Sequence, residues 1–458
     1  MRTFAINTLG CKVNQYESQQ IRELLEHLGL HQAETFDHAD LIVINTCCVT
    51  HTASAKSRQF IRKAQKLNSN TTIVVSGCLP TVHIDKPGSL GKNTHLVRHR
   101  EDLAATLGKL ASDKITSSNL QSQQNNIIKT ENETKVKPKT KVSNRPEMPQ
   151  LTSFKGHTRA FLKIQDGCDG YCSYCIIPKT RPQIESKPVQ TVLEEAQALV
   201  AAGHREIVVT GIFLGAYGQK SVRRKNWLGG VNRKLAELLD KMAKIPNLAR
   251  IRLSSLEPGD VTEGLLDVFC EHRNIMPHLH LSLQSGSDTI LRKMCRQYRA
   301  DEFMKMVELV KGRLDRPALT CDIIVGFPGE TEEDFSQTVE LAKQVRFAKM
   351  HVFSFSPHNE TGAAVMQGAV KKEVIKERSE ILHELGSELA FKYREQFIGE
   401  RAVVLVENID GRPSGRSERY FMVEVEVTSG SCKKNELLEV TLLENGQDGM
   451  FGKMIGKT

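Results

Sequence analysis

FLKIQDGCDGYCSYCIIPKTR (161–181) is the stretch on which the fold turns. It joins a short apolar β-type run, FLKIQ (161–165), to a loop whose Cys168, Cys172 and Cys175 fall in C-x3-C-x2-C spacing. Four-iron clusters normally use four thiolates, yet the next cysteine, Cys270, lies far downstream. A zinc knuckle asks for a second C-x2-C pair or nearby histidines, which makes zinc the poorer fit. Three thiolates on four irons leave one iron open to a further ligand. Gly167 and Gly170 let the loop wrap closely around such a group.

Working outward, FLKIQ starts a series of strands: EIVVTG (206–211), IRLSS (251–255), HLHLSLQSG (278–286), LTCDIIVGFPG (319–329) and HVFSFSP (351–357). Helical stretches such as Val192–Ala202 and Asp301–Leu309 separate them. This repeating βα pattern predicts a full or partial barrel with its active face at the carboxyl ends of the strands. A charge-rich helix follows at about 371–397, and then AVVLVENI (402–409), YFMVEVEVT (420–428) and ELLEVTLLE (436–444) switch to β patterning. These predict a small antiparallel β-barrel of OB-like size.

Upstream, FAINTLGC (4–11), LIVINTCC (41–48) and TIVVSGC (72–78) are near-continuous apolar strands. Between the first two, Glu17–Leu28 carries Ile21, Leu24, Leu25 and Leu28 at helical spacing. Such strands belong to a parallel sheet covered on both faces. Each ends at a cysteine (Cys11, Cys47, Cys78), and in a parallel sheet those ends share one edge. Any one buried cysteine is commonly a small core residue. Three at equivalent strand ends favour a shared metal site, because burial alone does not select strand ends. Cys48 points the opposite way in an extended chain and is left out. Residues 111–150, rich in Ser, Asn, Gln, Thr and Lys, read as a linker or disordered insertion. The expected division is 1–110, 111–150, 151–398 and 399–458.

Composition sets outer limits. The 458 residues are too many for one ordinary domain. No run of about eighteen apolar residues exists, so no membrane span is expected. The start, MRTFAINTLGC, does not read as a signal peptide, which leads to a cytoplasmic expectation. Eleven cysteines in that setting point to metal or redox chemistry rather than disulfides. The formal charge of +9 is distributed as +4, +3, +4 and −2 over the four segments, so a nucleic-acid partner has to be argued from local patches.

The C-x3-C-x-aromatic-C loop after the first strand of a βα series resembles the signature of the radical S-adenosylmethionine superfamily. TLGCKVNQYES (8–18), NTCCVT (45–50) and SGCLP (76–80) resemble the N-terminal domain of its methylthiotransferases. GHTRAFLKIQDGCDGYCSYCIIP (156–178), EIVVTGIFLGAYG (206–218), RLSSLEP (252–258), HLSLQSGSDTILRKMCR (280–296) and DIIVGFPGETEEDF (322–335) continue the likeness. The likeness covers nearly the whole chain apart from 111–150. GCKVNQYES and GHTRAFLKIQDGC are most similar to the N6-threonylcarbamoyladenosine (t6A) tRNA methylthiotransferases, with the isopentenyladenosine enzymes next and those acting on a ribosomal protein side chain third.

The resemblance implies an N-terminal parallel α/β domain, a partial (β/α)6 radical core and a TRAM-type RNA-binding barrel. It implies transfer of a methylthio group to C2 of t6A at position 37 in a tRNA anticodon loop. Two [4Fe-4S] clusters and S-adenosylmethionine are implied with it, and an electron donor such as flavodoxin or ferredoxin. In that scheme the cluster on Cys168, Cys172 and Cys175 generates a 5′-deoxyadenosyl radical. The cluster on Cys11, Cys47 and Cys78 holds the sulfur. Tyr174, Thr210, Gly211, Ser254, Ser255, Gln284 and Gly326 are the implied S-adenosylmethionine contacts. Arg412, Arg416 and Arg419, in a Gly/Pro/Ser loop, are the implied RNA contacts. Two departures stand out: Arg181-Pro182 and Ser186-Lys187 replace the usual Arg-Gly and Ser-Arg, and Phe213 replaces a usual His.

Overall fold

A computed structural model describes residues 1–67, 71–82, 93–119, 147–227, 231–427 and 432–457. They fall into two units, Met1–Gln150 and Leu151–Thr458. No helix among the described residues is long and apolar enough to cross a membrane.

In the first unit the three expected strands form as β1 (Thr3–Thr8), β3 (Leu41–Thr46) and β4 (Thr72–Gly77). Two short strands, β2 (His31–Gln32) and β5 (Thr94–Leu96), extend the sheet to the order β2-β1-β3-β4-β5, and every pairing is parallel. All six residues of β3 are buried, as a central strand covered on both faces requires. Helix α1 (Lys12–His27) starts five residues earlier than its leucine spacing suggests, because Val13, Asn14 and Tyr16 are also buried. Helix α2 (His51–Leu67) follows β3.

The expected linker begins later than residue 111. Helix Glu101–Asn119 runs through that boundary, and its Leu103, Leu107 and Ala111, spaced four apart, pack in the core with Phe4, Leu25 and Val43. Residues 120–146 of the expected linker lie outside the described residues. Beyond them Met148 packs on the same core, and the Gln20 side-chain amide donates to the Pro149 carbonyl at 2.7 Å.

The second unit opens with β6 (Ala160–Asp166), β7 (Glu185–Ser186), β8 (Glu206–Gly211), β9 (Arg250–Leu253), β10 (His278–Gln284), β11 (Ala318–Val325) and β12 (Lys349–Ser354). Strands β6-β8-β9 and β10-β11-β12 are parallel sets, with β7 antiparallel on the β6 edge. Parallel bridges Ile251–Ile275 and Leu256–Leu281 carry the series from β9 to β10. The six parallel strands are the expected partial barrel. After β12 and a connecting segment that includes the short helix Gly362–Val365, helix Lys372–Glu395 matches the charge-rich segment.

The C-terminal strands are β13 (Arg401–Asn408), β14 (Ser414–Ser417), β15 (Met422–Glu426), β16 (Leu437–Asn445) and β17 (Met450–Lys457), closed in the order β13-β14-β15-β17-β16. Two features correct the sequence reading. The β15–β17 pair is parallel, so the barrel is not purely antiparallel. Arg416 sits on a strand, β14, rather than in a loop. The cause is Gly415: a β-carbon there would lie 1.8 Å from the Leu405 carbonyl oxygen, so the glycine that reads as loop serves close strand approach.

Buried charge joins this barrel to the six-strand core. Arg252, almost wholly buried, donates to Glu206 at 2.9 Å and to the carbonyls of Ser417 (2.7 Å) and Glu418 (3.0 Å). Arg250 donates to the carbonyls of Val403 (2.6 Å) and Arg416 (3.0 Å). Burial alone disfavours ionised Glu206, but Arg252, Arg250 and Arg159 around it hold the carboxyl below its ordinary range.

Candidate functional site

The loop after β6 is shaped by glycines and by a returning strand. Gly167 has φ +79°, and a β-carbon on it would fall 1.6 Å from the Gln183 carbonyl oxygen, so only glycine fits. Cys168 donates its amide to the Arg181 carbonyl at 2.9 Å, while the Arg181 side chain grips both carboxylate oxygens of Asp166 at 2.7 and 2.9 Å. The Cys175 amide donates to the Cys172 carbonyl at 3.0 Å, and Gly170 donates to the Cys168 sulfur at 3.3 Å. Ser173 pins the loop to the segment after β10 by donating to the carbonyls of Met294 (3.1 Å) and Lys293 (2.7 Å).

Burial pushes the Cys168 and Cys175 thiols up to about 12, and it raises Cys172 despite the nearby Arg296. Thiols in that state are poor nucleophiles at neutral pH. Their chemistry fits a soft metal group that displaces the protons and takes up the thiolate charge. A four-iron cluster with one open position fits this donor set of three.

Arg296 and Glu257, which the sequence reading did not single out, lie against the cysteine loop. Arg296 donates to the Cys172 sulfur at 3.1 Å and to the Tyr174 hydroxyl at 3.4 Å, and lies 2.5 Å from a Glu257 carboxylate oxygen. Glu257 also receives Arg224 at 2.9 Å, and Arg224 reaches Asp260 at 2.8 Å. Charges in RLSSLEP and MCRQY carry no periodic signal, so only their joint burial behind the cysteine loop marks them.

Tyr174 packs edge-on to Phe327 at 6.3 Å in an apolar cluster with Ile290, Met294 and Ala363. Thr210 and Gly211 end β8, Ser254 follows β9, Gln284 ends β10 and Gly326 follows β11. All therefore stand at strand carboxyl ends, on the edge that carries the cysteine loop. Ser254 is buried, and its hydroxyl has no hydrogen-bond partner among the described residues, whereas Ser255 is exposed. Gln284 holds a left-handed backbone at φ +64°. Gly326 is explained by packing: a β-carbon there would meet Ile375 of helix Lys372–Glu395 at 2.3 Å. Two of the departing residues have defined surroundings. Lys187 pairs with buried Glu195, and Phe213 packs beside Cys168, Val222 and Trp227.

In the first unit, three strand ends meet at Thr46 and Asn14. The Thr46 carbonyl accepts from the Cys78 amide at 3.0 Å and from buried Asn14 at 2.9 Å, and Asn14 also donates to the Leu9 carbonyl at 2.7 Å. Gly10 (φ +107°) leaves no room for a side chain, since a β-carbon would lie 3.0 Å from the Cys47 sulfur. Cys11 is exposed, Cys47 and Cys78 are buried, and Cys48 is fully buried. Three thiol-bearing segments joined through the Thr46 and Asn14 hydrogen bonds fit a second cluster with three protein ligands.

The arginines of the C-terminal barrel divide. Arg416 pairs with Glu407 and stacks on Tyr420 at 4.9 Å. Arg419 pairs with Asp315 at 3.0 Å and covers Phe397 at 4.8 Å. Arg412 is exposed, with Glu424 at 3.7 Å.

Residues 162–342 match the radical SAM superfamily, and residues 3–97 match "Uncharacterized protein family UPF0004". The chain is 34% identical over 99% of its length to the threonylcarbamoyladenosine tRNA methylthiotransferase MtaB of Chlamydia pneumoniae, covering 98% of that protein. It is 36% identical over 93% of its length to the enzyme of that name from Thermotoga maritima, covering 91% of it. The tRNA-2-methylthio-N(6)-dimethylallyladenosine synthase of Zymomonas mobilis is 31% identical over 99% of the chain and 97% of its own length. Among solved structures, the radical S-adenosylmethionine methyltransferase TsrM of Kitasatospora setae shares the fold, with a TM-score of 0.53 at 13% identity over 80% of this chain and 77% of that one.

Proposed function

The chain belongs to the radical S-adenosylmethionine methylthiotransferases, and we propose that within that family it converts t6A at position 37 of tRNA to its 2-methylthio derivative. The observation that carries this reading is the presence in one chain of two three-cysteine edges, Cys11/Cys47/Cys78 and Cys168/Cys172/Cys175. The choice of t6A is supported by the names of the relatives at 34–36% identity, against 31% for the dimethylallyladenosine enzyme.

The C2–H bond of adenine is unactivated, so no side-chain acid or base breaks it and cofactors must supply the chemistry. Two four-iron clusters and S-adenosylmethionine, when bound, supply a carbon radical and a methylated sulfur. The chain's own part is to hold and exclude. Cys168, Cys172 and Cys175 would bind one cluster and Cys11, Cys47 and Cys78 the other. Gly167 and Gly170 keep the first loop tight, and Arg296 holds Cys172 in place. Tyr174, Thr210, Gly211, Ser254, Ser255 and Gln284 would line the S-adenosylmethionine position. The unpartnered Ser254 hydroxyl is the group best prepared to meet a polar ligand atom. Gly326 serves as a packing position behind them. A reducing partner such as flavodoxin or ferredoxin is required by the chemistry.

Nucleoside mass spectrometry of tRNA from a deletion strain, with and without the chain restored, tests the reading. Loss of 2-methylthio-t6A is the expected result. Loss of the isopentenyl derivative instead would reassign the substrate, and unchanged tRNA would remove the reading.

A further inference from the structure

We infer that the exposed face of α2 is a phosphate-binding surface over which the RNA strand reaches the Cys11/Cys47/Cys78 edge; the inference rests on the tRNA reading above. The helix HTASAKSRQFIRKAQKL carries Lys56, Arg58, Arg62, Lys63 and Lys66 and no acidic residue. Ser54, Ser57, Ile61 and Ala64, at helical spacing, are buried against the sheet. That leaves Lys56, Arg62, Lys63 and Lys66 exposed on the other side, with Arg58 half-buried between them. From Lys56 to Lys66 the array runs about 15 Å along the helix axis.

A charge run is ordinarily a solvated helix face, but the other surface helices show what that looks like in this protein. Lys244 pairs with Asp240, Lys305 with Asp301, Lys343 with Glu340 and Lys392 with Glu388, each three or four residues apart. On α2 none of the five cations has an ion-pair partner among the described residues. Five uncompensated like charges on one helix disfavour the free protein modestly and are relieved by a polyanion.

Placement ties this face to the cysteine edge. Ser57 of α2 donates to the Cys47 carbonyl at 2.9 Å and accepts from the Cys47 amide at 3.3 Å. An open groove of about 800 Å³ is lined by the five cations together with Leu9, two residues before Cys11, and Phe60. Phe60 is half-buried and held edge-on by Phe36 at 5.4 Å, which gives the groove a fixed aromatic surface beside its cations. Cations interleaved with an aromatic ring suit an unpaired RNA strand, where phosphates take the charge and a base takes the ring. An acidic protein has less use for the ring.

The test measures tRNA affinity of the reconstituted full-length protein between about 50 and 200 mM salt. Lys56→Gln/Arg62→Gln/Lys63→Gln/Lys66→Gln is compared with wild type. Lys56→Arg/Lys63→Arg/Lys66→Arg keeps the charge, and Lys305→Gln/Lys343→Gln/Lys392→Gln removes paired lysines elsewhere. The expected result is at least about a tenfold loss of affinity for the first variant and a salt slope shallower by about 2 to 3, with the other two variants unchanged. Iron content and a melting curve check that the first variant is folded. Wild-type affinity and slope in the first variant would overturn the surface while leaving the tRNA reading standing. Unimpaired tRNA binding with lost reduction by an acidic flavoprotein would also overturn it, in favour of a protein-docking face. Failure of wild type itself to bind tRNA would overturn both.

Discussion

Arg296 donates through one guanidinium nitrogen to the sulfur of Cys172, 3.1 Å away and 124 residues earlier in the chain, while its other side lies 2.5 Å from the carboxylate of Glu257. A cationic donor on a ligand sulfur stabilises the more negative, reduced state of a cluster held there. Replacing Arg296 by Gln should therefore lower the midpoint potential of the cluster bound at this loop, by on the order of 60 mV if about 1.4 kcal/mol of that preference is lost. A redox titration followed by electron paramagnetic resonance measures it, and an unshifted potential would dismiss the role. Because the same change strands Glu257, Arg296→Gln/Glu257→Gln is the companion variant for separating potential from stability.

Alanine at Cys11, Cys47 or Cys78 should remove about four irons per chain and leave reductive cleavage of S-adenosylmethionine intact, while methylthiolation stops. Alanine at Cys168, Cys172 or Cys175 should also remove about four irons but abolish that cleavage. Iron analysis together with 5′-deoxyadenosine assay distinguishes the two patterns, and equal effects of all six substitutions would contradict a division of roles.

Gly167→Ala should cost at least about 2 kcal/mol and hinder cluster assembly, since the new β-carbon meets both a left-handed backbone and the Gln183 carbonyl. Urea unfolding and iron content are the measurements. Gly29→Ala is a useful contrast, because its φ is also positive (+81°) yet nothing lies within 4 Å of the added carbon.

Glu206→Gln should destabilise the second unit by about 3–5 kcal/mol, because Arg252 and Arg250 stay buried without their carboxylate. Calorimetry reads the loss, and faster proteolysis of the C-terminal barrel would locate it at the joint that Arg252 makes with Ser417 and Glu418.

Burial pushes the Asp260 carboxyl up to about 6, with Glu257 adding to the rise and Arg224 opposing it. The folded protein then binds more protons than the unfolded chain between about pH 4 and 6, so this group's contribution to stability is full at low pH and falls as pH rises through about 6. Asp260→Asn should flatten that component of a melting-temperature profile. An unchanged slope would place the proton elsewhere.

Arg412→Ala should leave stability within about 0.5 kcal/mol, as expected for an exposed side chain. Arg419→Ala should cost more, because it loses Asp315 and uncovers Phe397. Denaturant curves separate these, and equal losses would contradict the division of these arginines between solvent and joint.

Local order was written plainly in the sequence. Continuous apolar runs marked β3, β4 and β8, because parallel strands buried on both faces have no polar side to disguise them, whereas β10 and β12, which carry His, Ser or Lys, were legible from their place in the repeating βα series. The position of Cys11, Cys47, Cys78 and Cys168 after strands was equally legible, since spacing within a loop and position after a strand are local properties. What the tertiary structure decided was what came to lie beside them. Strand β14 hid in Gly and Ser because its neighbour's backbone, not its own side chains, demands a glycine at 415. Arg416 and Arg419 read as loop arginines implied to contact RNA, but folding brings Glu407 and Asp315 to them. Arg296 and Glu257 carried no pattern, because a charge acquires its meaning from the groups that long-range folding places around it, and no spacing along the chain encodes that.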